Sequence, residues 1–579
     1  LEARVPKTAY EIANVKLHPL NFIAEEGYVG EVAVDTVGEP FAGTVEIFEG
    51  ELFAVVGNVI SSAPLPVGSY SLTLLVKDRG QAYYSMQTVT ARGVARPPDV
   101  IIDPPEPDTD NTMTLVNVSG TEVVDYPLQF ARAFVEGEIL NYAEIILDGE
   151  VIPTQCDVKN RWGDGSIKFA IMAAVVPSLL PGIPTTVQFI NGTSNNTPSD
   201  LSSVAGYDAG IMLTNPVGGA VVYASAKEML QAGKFSFWTV GPIAQTYVCC
   251  DRSTARMYDM GWSSYRAVHP WFVVTVWPGL GKVFTRYVGE IGNTEAMEAQ
   301  TYNLDLTVAG VGVYSQHNIA HLPATRWSRT AWYGGTPEPK VNLYHNFVYL
   351  AQAKLVPKYD PTVVIPSSRL ESRYASWLGS NRAIGGPGLW QVYMPNTGGR
   401  LDIGLNPSWS ASALMSGDWR DREVMLGQAE LAGWWKRHIR EGDPTKNNFG
   451  RTIHCHTRGT YGFLDDRFTP AAQDDVVIIN MGVANDWVSD IAHHPEPFAI
   501  PYIMTGDPFF LDGLEMWQGA NSLFGNPGYR NFNHMTCYGD GQVRSMGWMY
   551  RTLFIAAALL PDADPLRPAF VQMVGEAIA

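Results

Sequence analysis

With 579 residues, 46% of them hydrophobic and 17% charged, the chain has enough apolar material for several packed cores and is not globally disordered. A formal net charge of −18, from 40 Lys plus Arg against 58 Asp plus Glu, disfavours nucleic acid and anionic membrane surfaces as partners. No apolar run reaches the roughly 18 residues of a membrane span; the longest, Thr552 to Leu560, reads as a buried helix.

From the N-terminus, where Leu1 suggests a processed or trimmed start, residues 1–96 read as β. Gly30–Val34, Thr44–Phe48 and Tyr70–Val76 cluster or alternate apolar residues between Gly and Pro punctuation. The stretch 51–80, ELFAVVGNVISSAPLPVGSYSLTLLVKDRG, resembles the later half of a cadherin-like repeat. That resemblance implies a cadherin- or immunoglobulin-like β-sandwich used as a spacer or adhesion module. Calcium is the one ion it suggests, with Glu25, Glu26 and Asp78 as acidic candidates; no other cofactor is expected. Residues 97–111, PPDVIIDPPEPDTDN, are rich in Pro and Asp and read as an extended, solvated linker.

Residues 112–335 are again strand-like. Thr112–Val116, Ala143–Leu147, Ile167–Val175, Thr185–Ile190, Phe272–Val276 and Leu304–Val313 are rich in β-branched or aromatic residues, and predict a central antiparallel β domain. Within 127–176, the residues Pro127, Phe130, Phe134, Val151, Pro153, Gln155, Arg161, Trp162, Asp164, Gly165, Ser166 and Lys168 resemble the N-terminal β-domain of exo-rhamnogalacturonan lyase-like (YetA-like) proteins. Phe169 stands where that pattern usually has Trp. The RW-x-DGS-x-K string itself reads as structural, a tight Gly turn between two strands.

From residue 336 to 579 the texture is helical. Ser416–Gly417–Asp418 offers cap oxygens, and Val424, Met425, Gln428, Leu431, Ala432, Trp435 and Ile439 then recur at spacings of three and four, which predicts a helix over Met415–Arg440. Asp507–Pro508 suits a cap followed by a first helical residue. Further helices are expected over Gly547–Leu560 and after Pro565. The segments 394–435 and 490–523, carrying TGGRLDIG and DIAHHPEPFAIPYIMTGD, resemble a bacterial and phage family related to the toroidal half of polysaccharide lyases, with His494 in place of a more common Gln. The expected fold class is therefore multidomain α+β: N-terminal sandwich, central antiparallel β domain, and C-terminal α/α toroid-like domain.

β-Elimination on a uronate sugar needs a base for the weakly acidic proton beside the carboxylate, cations or donors for the developing negative charge, and an acid for the leaving oxygen. The catalytic pool is His493, Tyr502, Arg400, Asp490, His534 and Tyr538. Asp490 precedes His493 by three residues, so a helix would place both on one face. Arg544 and Asn485 suit the substrate carboxylate, with Asn346 as an alternative. Trp390 and Trp487 suit the apolar faces of sugar rings. A glycoside hydrolase would instead draw two carboxylates from Asp402, Asp465, Asp466, Asp490 and Glu496. His454 and His456 would share a face on a strand, but no third ligand follows at a recognisable spacing. The five cysteines, Cys156, Cys249, Cys250, Cys455 and Cys537, form no CxxC, so no metal is expected and buried thiols are. The reading is thus a carbohydrate-active protein, foremost a polysaccharide lyase, at the cell surface, outside the cell or on a virion as a phage tail spike or fibre depolymerase. Its partners would be polysaccharide, other virion or surface proteins, and further copies of itself. The alternatives are a non-catalytic glycan-binding structural protein and a glycoside hydrolase.

Overall fold

The computed structural model describes residues 11–578 apart from 24–26, 38–39, 67, 79–80, 92–109, 194–195, 201, 252–266, 336–338, 393–399, 459–477, 481–486, 488–490, 495, 524–533 and 536–542. It is a multidomain α+β protein in which antiparallel sheets dominate and the helices lie mainly toward the C-terminus. Two compact units form, Leu1–Val100 and Ile101–Ala579. Their division falls inside the expected Pro-rich stretch, most of which lies outside the described residues. The expected boundary at 335 falls within the second unit: one apolar core runs from Ala131 on a strand to Met573 on the last helix.

In the first unit, the sheet of Glu11–Ile23, Gly27–Val37, Val59–Ser62 and Phe53–Val56 faces the sheet of Thr44–Glu49, Gly68–Asp78 and Gln81–Ala91 across a shared core. Alternation produces this: in Gly68–Asp78, Leu72, Leu74 and Val76 are fully buried while the residues between them are not. Val15, Tyr28, Phe53 and Ile60 meet them from the other sheet. Glu25 and Glu26 lie outside the described residues. Asp78 is buried and neither carboxylate oxygen has a hydrogen-bond partner.

Among the described residues the second unit holds two five-stranded sheets and smaller sheets of four, three and two strands. Phe235–Thr239, Gln245–Cys249, His269–Trp277, Lys282–Ile291 and Thr325–Tyr333 form a five-stranded antiparallel sheet in that order. Every residue of His269–Trp277 is buried, as a strand covered on both faces requires. The Leu304–Val313 run, expected as one strand, is a hairpin: Gln300–Val308 and Val311–His321 pair across Ala309 and Gly310, whose φ angles of 47° and 78° suit a tight primed turn.

The helix expected over Met415–Arg440 is likewise divided. Ser408–Ser416 ends at Gly417, whose φ is 64° and whose Cβ position would lie 2.7 Å from the Leu343 carbonyl oxygen, so only glycine fits. Asp418 then caps Trp419–Leu431 by accepting from the Arg420 amide at 2.8 Å. That helix stops because the chain turns to the sheet: the His438 amide donates to the Ala324 carbonyl at 2.9 Å and the Arg440 amide to the Gly292 carbonyl at 2.7 Å. Asp507 caps Pro508–Ser522, and Val543–Leu559 and Arg567–Ile578 complete the helical part.

Candidate functional site

The RW-x-DGS-x-K segment is the structural turn its residues implied. It joins the hairpin strands Thr154–Arg161 and Ile167–Leu179, with Gly165 at φ 89° and Asp164 accepting from the Ser166 amide (2.9 Å) and hydroxyl (2.6 Å). The indole of Trp162 donates to the Phe134 carbonyl at 2.9 Å. The hairpin then receives the end of the helix Val543–Leu559: Asn160 donates to the Leu560 carbonyl at 2.6 Å, and the Arg161 amide donates to Asp562 at 2.8 Å. Its work is to fix the helix that carries Arg544.

Three of the sequence-predicted site residues meet. Arg544 lies in the first turn of Val543–Leu559, exposed, and its Nη2 contacts Nε2 of His493. Arg400 donates from its own Nη2 to the His493 carbonyl at 2.7 Å and lies 3.2 Å from Asp402, an ion pair without a directional hydrogen bond. Asp402 also accepts from the Gln391 amide at 3.1 Å, and its burial raises its pKa against the opposing pull of Arg400. Ile491–His493 is a turn rather than a helix, and Asp490, expected to share a face with His493, lies outside the described residues. A guanidinium only donates hydrogen bonds, so Nε2 of His493 is the acceptor in this contact.

The surroundings extend the cluster. Arg551, about two turns along the same helix, lies 3.6 Å from Glu496, and Arg551 Nη1 reaches toward the Gly404 carbonyl at 3.4 Å. Glu496 Oε2 accepts from the Phe498 and Ala499 amides at 2.7 and 2.9 Å, satisfying the start of the helix Ala499–Thr505. Asn406 donates to the Tyr359 hydroxyl at 2.9 Å, and that phenol is held above its ordinary pKa mainly by burial. Arg551 and Tyr359 carried no sequence signal: nothing in their local pattern places them beside the 400–406 and 493–498 segments.

Other predicted residues lie elsewhere. Tyr502 is fully buried, packs against Phe169 and Trp238, and burial raises its pKa well above the ordinary value, with Glu515 and Asp564 adding to the shift. That is core packing, with the hydroxyl lacking a hydrogen-bond partner. Trp390 and Trp487 are 5% and 3% exposed and stack edge-on against Trp435 at 4.9 and 4.7 Å. Their indole N–H groups donate to the Gln428 and Gly385 carbonyls, so they are core posts rather than sugar platforms. His494 joins the same cluster, its ring 4.8 Å from Trp435. Asn346 caps a short helix through the Tyr349 amide. His534 lies apart, with Nδ1 3.5 Å from Glu576. His454–Thr457 forms a turn instead of a strand. Tyr538, Asn485, Asp465, Asp466 and Cys537 lie outside the described residues.

Aromatic side chains also wall a cavity elsewhere in the second unit. A cavity of about 190 Å³ is walled by Trp277, Phe284, Trp332 and Phe510, with Gln129, Thr275 and Arg286 among its polar residues. Phe284 and Trp332 meet edge-on at 5.1 Å. Arg286 is engaged internally, with Glu430 at 2.5 Å and Asp507 at 2.8 Å, which keeps its guanidinium oriented.

No family model and no curated protein matches the chain. Among solved structures it is similar to one described as "Structure of surface layer protein SbsC, domains 4-9", at 10% identity and a TM-score of 0.17, over 53% of this chain and 46% of that one. The chain thus spans less than half of that neighbour, and a likeness at this level bears on neither fold nor function. Among the described residues no helix is long and apolar enough to cross a membrane.

Proposed function

We propose that the protein is carbohydrate-active and acts on an acidic, uronate-bearing polysaccharide at the Arg400–His493–Arg544 cluster, by β-elimination. The observation that carries this is the meeting of Arg544 with His493 Nε2 while Arg400 holds the same residue by its carbonyl. Two cations and this imidazole supply a sink for the enolate charge and a base, and the imidazole, once protonated at Nε2, returns that proton to the departing glycosidic oxygen as the carbon–oxygen bond breaks. In the unliganded arrangement Arg544 occupies the Nε2 lone pair. A uronate carboxylate is a better partner for an exposed guanidinium, so substrate binding draws Arg544 off His493 and frees Nε2 to take the proton. The turn of Arg400 on the His493 backbone keeps the ring in place through that exchange. Location at a cell surface, outside the cell or on a virion follows from this substrate class and from the sequence resemblances.

The test is ultraviolet absorbance of the unsaturated product during incubation with a panel of uronate polysaccharides. Turnover is expected, with a loss of about 10²–10⁴-fold in kcat for His493→Ala and of about 10²–10³-fold for Arg544→Ala. Arg544→Lys should recover part of the latter, since the positive charge returns without the bidentate fork. A second reading, glycan binding without turnover, is favoured by the aromatic-walled cavity and by the burial of Tyr502, which removes the expected phenolic base. Binding with no absorbance change and no new reducing ends would establish that reading and discard the first.

A further inference from the structure

Cys455, His456 and Glu576 bring one thiol, one imidazole and one carboxylate together, with their ligand atoms all within 4.8 Å of one another. The sequence does not announce this. Cys455 and His456 are adjacent, and Glu576 follows more than a hundred residues later on the helix Arg567–Ile578. The fold supplies the convergence. The His454–Thr457 turn is closed by the Thr457 amide on the His454 carbonyl at 2.9 Å, and it is tied to the helix Pro508–Ser522 by the Cys455 amide on the Ser522 hydroxyl at 3.1 Å. That turn presents consecutive side chains to the last helix.

The geometry points to a binding site for a divalent transition metal of the zinc class, with Cys455, His456 and Glu576 as ligands. A tetrahedral zinc ion has bonds of about 2.0–2.3 Å to N, O and S donors, so its ligand atoms lie between about 3 and 4 Å apart. His456 Nε2 is 3.0 and 3.1 Å from the two Glu576 oxygens, near the lower end of that spacing. The donor set also matches by charge. Metal binding deprotonates the thiol, and one dication then neutralises the thiolate and the carboxylate where Cys455 is fully buried and His456 and Glu576 are 15% exposed. Thiolate with imidazole selects zinc-like ions over magnesium or calcium.

The surroundings hold the carboxylate in position. Glu576 Oε2 accepts from the Met535 amide at 2.7 Å, and Oε1 accepts from Gln572 at 2.9 Å. Half-exposed His534 lies beside the same carboxylate, its Nδ1 3.5 Å from Glu576 Oε1. With the metal bound, the 454–457 turn, the 534–535 segment and the final helix are joined at one point. The site is independent of the Arg400–His493–Arg544 cluster.

The test uses the full chain, stripped with a chelator and titrated with Co²⁺ and then Zn²⁺ alone. Expected are about one tight equivalent of metal, a thiolate-to-cobalt charge-transfer band that zinc abolishes, and loss of that band in Cys455→Ser. Zinc affinity should fall at least about tenfold in Glu576→Gln. Failure of the folded wild-type chain to bind either ion, binding of cobalt without a thiolate band, or an unchanged band in Cys455→Ser would each overturn the assignment, leaving His456 and Glu576 as a plain hydrogen-bonded pair.

Discussion

His345 shows how burial sets the behaviour of a single residue. It is 1% exposed, both ring nitrogens lack hydrogen-bond partners, and its pKa is lowered to about 3, first by burial and then by the Arg132 and Arg422 guanidiniums. The unfolded chain takes up a proton on this residue near its ordinary value of 6.5, while the folded chain resists until about 3. Stability contributed by the neutral ring is therefore full above about pH 6.5 and is lost as the pH falls toward 3, at up to ~1.4 kcal/mol per pH unit. Urea unfolding of His345→Leu between these limits should show a shallower decline than the parent, and an identical slope would mean the ring is not the titrating group. Glu515 has the opposite sign. Burial, with Asp564 and Asp512 nearby, raises its pKa well above the ordinary carboxylate range, so it folds best protonated and costs stability as the pH rises from its unfolded value. Glu515→Gln should therefore raise the Tm at neutral and alkaline pH and change it least under acid, read by thermal scans across pH. Residues of these two kinds are hard to read in sequence. A His or Trp after residue 336 looks the same whether it lines a cleft or fills a core; only partners such as Trp435, fully buried between Trp390 and Trp487, settle which.

Elements were legible where the signal is local and obscure where it depends on a distant partner. The cap residues Asp418 and Asp507 sit where sequence placed them, because a side-chain oxygen followed by helix formers is a local instruction. Met415–Arg440 carries a continuous helical period, yet Gly417 and the sheet edge at Gly292 divide it, and neither is visible in the period. The same holds for the candidate site: the RW-x-DGS-x-K hairpin could be read as a turn, but its grip on the C-terminal end of the Arg544 helix could not. That grip is testable. Asn160 is fully buried and donates to the Leu560 carbonyl, so Asn160→Ala removes a buried hydrogen bond and should cost about 1–3 kcal/mol. Hydrogen exchange should quicken at the C-terminal amides of Val543–Leu559 more than in the strands Gln245–Cys249 and His269–Trp277. Uniform acceleration would show that the hairpin supports the whole unit rather than this helix.

At the scale of the molecule, the decisive feature is that the two units have separate cores. The first is held by Val15, Ile60, Leu72, Leu74 and their neighbours, and none of these belongs to the core that runs from Ala131 to Met573. A cooperative transition follows a contiguous core, since partial unfolding is costly only where it exposes shared apolar surface. The second unit also holds a smaller core around Leu115, Phe130, Met172 and Val187, but the strands Val123–Ala133 and Ile167–Leu179 contribute residues to both cores, and strands and helices of the larger one are also pinned by buried ion pairs. Arg440 reaches both Glu290 on a strand and Asp512 on a helix at 2.6 Å, and Arg326 meets the same Asp512 at 2.5 Å. Removing one partner strands the others, at a cost of about 3–5 kcal/mol. Sheet and helices of Ile101–Ala579 should therefore melt together even though sequence texture changes near residue 336. Calorimetry of the full chain should show one transition for each unit, and a 101–579 truncation should keep the larger transition at an unchanged Tm together with the activity proposed for the Arg400–His493–Arg544 cluster. A third transition would divide the second unit after all, and a lowered Tm on truncation would mean that the sandwich supports the body.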